Sequence, residues 1–234
     1  MTEFFTNALA FLMKGGVLMI FIFLCSLAAI VLFVERMLAL RKAARHTEDL
    51  AKPLADAIRE GHTERALTLC DSHPGPLSAL ARIALEHRSL SRESLQEAVS
   101  DEGKRQFAAL NRFIPAIGTI ASISPMLGLL GTVTGMIQVF SNLADEYAAG
   151  AHANPGMLAG GIWEALLTTA AGLCVAIPAF LLHRYLDSKL DRLWLDLEHH
   201  ATEFVDIIAP PPARPDSQKT TGKLSSAETS AKGE

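Results

Sequence analysis

Three long blocks without charge constrain this chain more than any other feature. Residues 15–34 read GGVLMIFIFLCSLAAIVLFV, twenty residues with no charged side chain. A helix rises ~1.5 Å per residue, so twenty residues cover a hydrocarbon core of ~30 Å. Residues 113–144 form a second uncharged block of thirty-two residues. As a helix it reaches ~48 Å, so either part of it projects from the bilayer or its span begins after Pro125. Residues 155–182 form the third block, with Glu164 as its one charged side chain and His183 and Arg184 closing it. Backbone polar groups in lipid must be satisfied internally, and blocks of this length satisfy them as helices. The expected fold class is therefore an all-α integral membrane protein with three transmembrane helices and long helices extending into the cytoplasm.

Basic residues orient the spans. Positions 36–112 hold thirteen Lys plus Arg, whereas positions 141–161 hold none and carry Asp145 and Glu146. Arg184, Lys189 and Arg192 follow the third block at once. The positive-inside rule puts the middle segment, residues 35–112, and the C-terminus in the cytoplasm. The N-terminus and a short loop, residues 145–154, then face the periplasm of a bacterial inner membrane. A cleaved signal peptide is not expected, because the charges follow the first block and no small-residue cleavage site appears.

The net charge of −4, with no basic arm and no zinc-type spacing, gives no reason to expect nucleic-acid binding. Cys25, Cys70 and Cys174 read as small apolar residues rather than a disulfide framework. No metalloprotease, nucleophile-elbow or dinucleotide signature is present, and Gly103-Lys104 lacks the rest of a phosphate-binding loop. An enzyme is not expected, and no cofactor is implied.

Outside the spans, residues 1–14 read as an amphipathic helix at the outer interface. In the middle segment Leu50, Leu54, Ala57 and Ile58 recur at helical spacing, with Gly61 as the stop. Thr63 is the expected cap of a second helix carrying Ala66, Leu67 and Leu69. The sequence HPGPL at 73–77 breaks the chain before a third helix. Ser91 is the expected cap of a fourth, with Leu95, Val99, Phe107 and Leu110 on one face, able to run directly into the second span. In residues 183–208, Leu186, Leu190, Leu193, Leu197, Phe204 and Ile208 form a stripe that needs a partner, either the middle segment or other copies of the chain. Residues 209–234 are rich in Pro, Ser and Lys and are expected to be disordered.

The chemistry-bearing residues lie in the second and third spans. Glu164 is the sharpest, because an ionisable group in a span is costly and usually faces a bundle interior or a water-filled cavity. Its position near the outer edge leaves an interfacial carboxylate as the alternative. Thr168 and Thr169 follow it, and Thr132 and Thr134 sit in the second span. Hydroxyls there either relay protons through water or bond to their own helix backbone. Gly131 and Gly135 make a GxxxG, with Gly128 beside it, and Gly160, Gly161 and Gly172 supply small faces in the third span for close helix packing. Pro178 is a candidate helix kink. His199, His200 and Glu203 lack a third ligand nearby, so no metal site is expected.

The stretches SPMLGLLGTVTGMIQVF (124–140) and GGIWEALLTTAAGLCVAIPAF (160–180) resemble the ExbB/TolQ branch of the MotA/TolQ/ExbB proton channel family. The resemblance is most like ExbB. It implies a homopentamer whose second and third spans line a central pore holding a dimeric ExbD- or TolR-like partner. Proton flow would then be coupled through a TonB- or TolA-like transducer to the outer membrane, with protons as the coupling ion. It assigns the polar pore environment to Glu164, Thr132 and Thr169, beside which Thr134 and Thr168 also bring hydroxyls. Three positions depart from the family pattern: Thr134 and Trp163 stand where Trp and Ala are usual, and Thr168 where Ala is frequent. The competing readings are a TolQ-like role in envelope maintenance, a non-conducting structural scaffold and a stand-alone transporter. Three spans without an internal repeat do not suit the last of these.

Overall fold

The computed structural model describes residues 16–148, 150 and 155–211. The expected N-terminal interfacial helix, half of the short loop and nearly all of the C-terminal tail lie outside these residues. Six helices follow in order: α1 Gly16–Arg59, α2 Thr63–Ser72, α3 Pro76–Glu86, α4 Arg92–Asn111, α5 Ile114–Ala148 and α6 Pro155–Ile208. Three of them, α1, α5 and α6, are long and apolar enough to cross a membrane. The protein is thus an all-α membrane protein.

The first span does not stop where its apolar block ends. α1 continues for 44 residues, ~66 Å of helix, because the lipid-facing block passes without a breaker into an amphipathic stripe. Leu40, Ala43, Leu50, Leu54, Ala57 and Ile58 of that stripe are buried. Pro53 lies inside the helix on an exposed position beside exposed Asp49, so water reaches the carbonyl that its missing N–H leaves free. Gly61 takes φ 75°, a left-handed conformation open to glycine at little cost, and turns the chain out of the helix.

α2 starts at Thr63, but Thr63 is not its cap. His62 holds the cap position without a side-chain bond, and the Thr63 hydroxyl instead accepts from Arg88 at 2.6 Å. Pro76 opens α3, where its lack of an N–H costs nothing. Ser91 caps α4 as expected: the Ser94 N–H donates to its Oγ at 3.3 Å.

α4 does not run into the second span. The chain turns at Arg112 and Phe113. Pro115 has no N–H for the Asn111 carbonyl, and its ring would collide with that carbonyl in a continuous helix. The Phe113 N–H bonds to Asn111 O at 3.0 Å instead. The corner is held by Arg36 of α1, which donates to the Ala109 carbonyl at 3.3 Å and pairs with Glu35. Both Arg36 and Arg112 lie over the Phe113 ring, 5.1 and 4.8 Å from its centroid. A cation at the carbonyl end of α4 complements its dipole. The hydrogen bond from Arg36 holds the Glu35 carboxyl below its usual pKa.

The non-span parts of α1 and α6 pack with α2, α3 and α4 into one bundle at a single end of the spans. The α6 stripe finds its partner there: Leu186, Leu190, Leu193, Leu197 and Phe204 join Leu54, Leu77, Leu80 and Leu95 in one core, while Ile208 is partly buried at its edge. The span half has a much smaller cluster, formed by Ala29, Ala121 and Ala179 with Ile120 against them. Val17, Ile20, Phe23, Leu27 and Val31 of α1 remain exposed, as lipid-facing side chains do.

Candidate functional site

α5 and α6 pair along their length, and the pairing rests on small residues. Gly128, Gly131 and Gly135 fall on one face of α5 by helical spacing. A Cβ added at Gly128 would lie 2.9 Å from the Thr168 carbonyl oxygen, at Gly131 2.3 Å from Thr168 Oγ1, and at Gly135 2.9 Å from Ala165 Cβ. From the other side, a Cβ at Gly172 would meet Ser124 O at 2.6 Å, and one at Gly161 would meet Val139 Cγ2 at 2.2 Å. Five of the six glycines expected to pack thus bring the two backbones together. Gly160 does not, since a Cβ there meets nothing within 4 Å. α5 is continuous through Pro125 and α6 through Pro178.

Two hydroxyls cross this seam. Thr169 Oγ1 donates to Gly128 O at 2.9 Å. Thr168, 3% exposed, donates to the Ala165 carbonyl at 2.7 Å and reaches Gly128 O at 3.2 Å. The β-carbon of Thr168 fits only because residue 131 has none. The other two threonines bond within their own helix: Thr132 to Leu129 O at 2.6 Å and Thr134 to Leu130 O at 2.9 Å. All four hydroxyl protons are therefore committed to carbonyls, and their oxygens keep lone pairs for a further donor.

At one end of the seam lies an open cleft of about 510 Å³. Glu164 lines it together with Thr134, Gln138, Asn142 and Thr168. Glu164 is exposed and has no ion-pair partner among the described residues. Gln138 and Asn142 are functional candidates that the sequence reading missed. Their signal was present, since Thr134, Gln138 and Asn142 recur every fourth residue and so share one face of α5. Thr132 and Thr169 do not line this cleft. The structure joins Thr169 to Glu164 only through the seam. Trp163, beside Glu164, is 65% exposed and faces away from the packed helices.

The histidines near the end of α6 do not gather ligands. His200 stacks on Phe204 with ring centroids 6.5 Å apart, and its Nδ1 lies 3.5 Å from Glu203. Among the described residues no group of three His, Cys, Asp or Glu side chains converges. Gly103 packs under Trp194, in the bundle rather than at a phosphate site.

Comparison with known proteins matches the sequence of this chain to a family. The chain is 33% identical over 176 residues to biopolymer transport protein ExbB-like 1 of Synechocystis, covering 75% of this chain and 69% of that protein. It is 29% identical over 184 residues to biopolymer transport protein exbB1 of Vibrio cholerae, covering 76% and 78%. Over 104 residues it is 36% identical to the Tol-Pal system protein TolQ of Haemophilus influenzae, covering 44% of each. Residues 72–199, which run from the bundle through both seam helices, match the MotA/TolQ/ExbB proton channel family, and the chain belongs to that family, most like ExbB.

Proposed function

We propose that this protein is an ExbB-like subunit of an inner-membrane motor driven by the proton-motive force, energising TonB-dependent transport across the outer membrane. The observation that carries the reading is Glu164: a carboxyl within a span, open to a polar cleft and without an ion-pair partner among the described residues. A carboxyl facing hydrocarbon is costly, so the surface bearing it belongs against another protein surface. A homopentamer around a dimeric ExbD- or TolR-like partner supplies that cover and places Glu164, Thr132, Thr134, Thr168 and Thr169 in or beside a shared polar lining. The proton is then the coupling ion and no bound cofactor is required. One proton crossing 100 mV supplies ~2.3 kcal/mol, so several drive each mechanical step. A TonB- or TolA-like transducer receives the work.

The basic residues of the bundle support a cytoplasmic bundle and C-terminus, with the N-terminus and the α5–α6 loop in the periplasm. A TolQ-like role in envelope maintenance is the second reading, favoured by the similarity to the Haemophilus protein.

The test is proton flux into liposomes holding the protein with its ExbD-like partner. Flux that requires the partner and collapses in Glu164→Gln supports the motor reading. Flux unchanged in both Glu164→Gln and Thr169→Val makes these residues structural and favours the scaffold. Loss of TonB-dependent uptake in a deletion strain, without envelope leakage, separates the ExbB-like role from the TolQ-like one.

A further inference from the structure

A second recess, carrying polar groups on a largely apolar lining, lies on the same helix pair at the end of the spans opposite Glu164. It is an open cleft of about 540 Å³ lined by Asn111, Thr119 and Ser122 with His183 and Asp187. His183 is built into it. Its ring lies on the α5 backbone, so that a Cβ at Gly118 would come 2.8 Å from His183 Nε2. Nε2 lies 3.4 Å from Asp187 Oδ2, one turn along α6. Nδ1 is buried with no hydrogen-bond partner among the described residues. His200 Nδ1 in the bundle is in the same state, but His183 differs in lining a cleft at the end of the spans beside a carboxylate.

The two recesses stand nineteen positions apart on α6, ~28 Å by helical rise, about one hydrocarbon thickness. Between them the seam is shut. Gly172 lies against the Ser124 carbonyl and Gly128, and Ser124 is 0% exposed. The helix pair therefore carries an ionisable group at each end of its span and a closed section in the middle.

We infer that the His183–Asp187 pair is a second proton-binding station, exchanging protons at the end of the spans opposite Glu164. This rests on the proton-conducting reading above. In the neutral ring Nε2–H is directed to the Asp187 carboxylate and Nδ1 holds the lone pair. Uptake breaks one O–H bond of a hydronium, forms one N–H bond at Nδ1 and releases water, and because Nδ1 is buried the partly exposed ring must turn toward the cleft to exchange; the reverse step returns the proton to water. Asp187 is the one charged side chain among the residues lining the cleft besides His183 itself. Asn111 and Pro115 from the α4–α5 corner, and Thr119 and Ser122 from α5, face it without charge. The imidazolium is thus balanced by a single carboxylate. The closed section leaves no water path between the two stations inside the seam of one chain, so transfer between them runs through movement of the helices or along the lining shared with other chains.

The experiment is proton flux in liposomes holding the full chain with its ExbD-like partner, measured as a function of pH on the His183 side. Wild type, Glu164→Gln, His183→Gln, Asp187→Asn and Gly118→Ala are compared. Flux in His183→Gln should fall by about tenfold or more, the scale lost with a positioned proton-transfer group. Flux in Asp187→Asn should persist, with its pH inflection moved, because the ring then charges without its carboxylate. A purely structural role does not move that inflection. In parallel, the ring-nitrogen resonances of His183 in labelled protein should shift with pH in wild type and over a different pH range in Asp187→Asn, which tests the station even if His183→Gln fails to assemble.

Glu164→Gln silent while His183→Gln and Asp187→Asn match wild type overturns this inference and leaves the motor reading standing. Wild type silent with its partner overturns both. A His183 resonance that is constant from pH 5 to 9 also overturns the station.

Discussion

The two halves of this molecule are held together by opposite means. The bundle outside the membrane is packed with large side chains: Phe204, Leu197, Leu54 and Leu95 are all fully buried. The spans are packed with what is absent, since Gly128, Gly131, Gly135 and Gly172 meet neighbours only because they have no Cβ. The solvent explains the difference. In water, burying a Leu or Phe side chain stabilises by roughly 1.5–3 kcal/mol. In lipid the same burial gains almost nothing, because the acyl chains are as apolar as the interior, and close backbone contact with interhelical hydrogen bonds takes over. Large side chains in the spans therefore face outward and small ones inward, the reverse of the bundle.

The sharpest way to break this comparison is to add volume to the seam. Gly131→Val places a β-carbon 2.3 Å from Thr168 Oγ1 and 2.6 Å from Thr168 Cβ, and that buried side chain is packed between the two helices with little room to yield. The expected outcome is loss of assembled protein, read by size-exclusion chromatography in detergent, and loss of proton flux. Gly161→Ala should be milder, since it meets the end of the Val139 side chain, which can rotate.

Removing volume should hurt the bundle instead. Phe204→Ala is expected to cost ~3–5 kcal/mol and Leu197→Ala ~2–5 kcal/mol in the bundle, measured by chemical denaturation. A cost below ~1 kcal/mol in both would show that the bundle is not stabilised by burial as argued. Thr169→Val comes next. It loses the bond to Gly128 O but keeps the shape, so ~0.6 kcal/mol is expected, the average for hydrogen bonds between spans.

Two smaller effects test the extramembrane half. Burial pushes the Cys70 thiol up, which leaves little thiolate at neutral pH. Maleimide should modify Cys70 only on unfolding, and rapid labelling of the native protein would contradict its placement in the core. Glu35 sets the pH response of the corner at Arg36. Its folded pKa is depressed, so its contribution is present above the ordinary value of 4.5 and is lost as pH falls through the folded value. Wild type should therefore lose slightly more stability than Glu35→Gln below that pH and differ little at pH 7. Last, Gly160→Ala should change nothing within the single chain, and a measurable effect would place residue 160 at a contact with another chain.

Much of this was legible in the residues. Uncharged blocks of span length leave a chain no other place than the membrane. The stripe from Leu186 to Phe204 marked a buried helix face, and the glycines of 128–135 marked a close contact. Gln138, Asn142 and the His183–Asp187 recess were not read, because a polar residue in an apolar block shows its spacing but not what stands opposite. The hinge at Arg112 and Phe113 was missed as well, although Pro115 was visible, because a proline near a helix start is compatible with either a start or a continuing chain.

By itself, the sequence determined the class: three spans, helices between and beyond them, one carboxyl in the third apolar block and the family to which its motifs belong. Those follow from composition along one dimension, since hydropathy and helical period are properties of neighbours in the chain. Only the tertiary structure decided which threonine bonds across the seam, that Gly160 stands free while Gly161 packs, and that polar groups form two recesses with a closed section between. Those depend on how one helix is rotated against another, and that rotation is set by contacts between residues some forty positions apart, as Gly128 and Thr168 are.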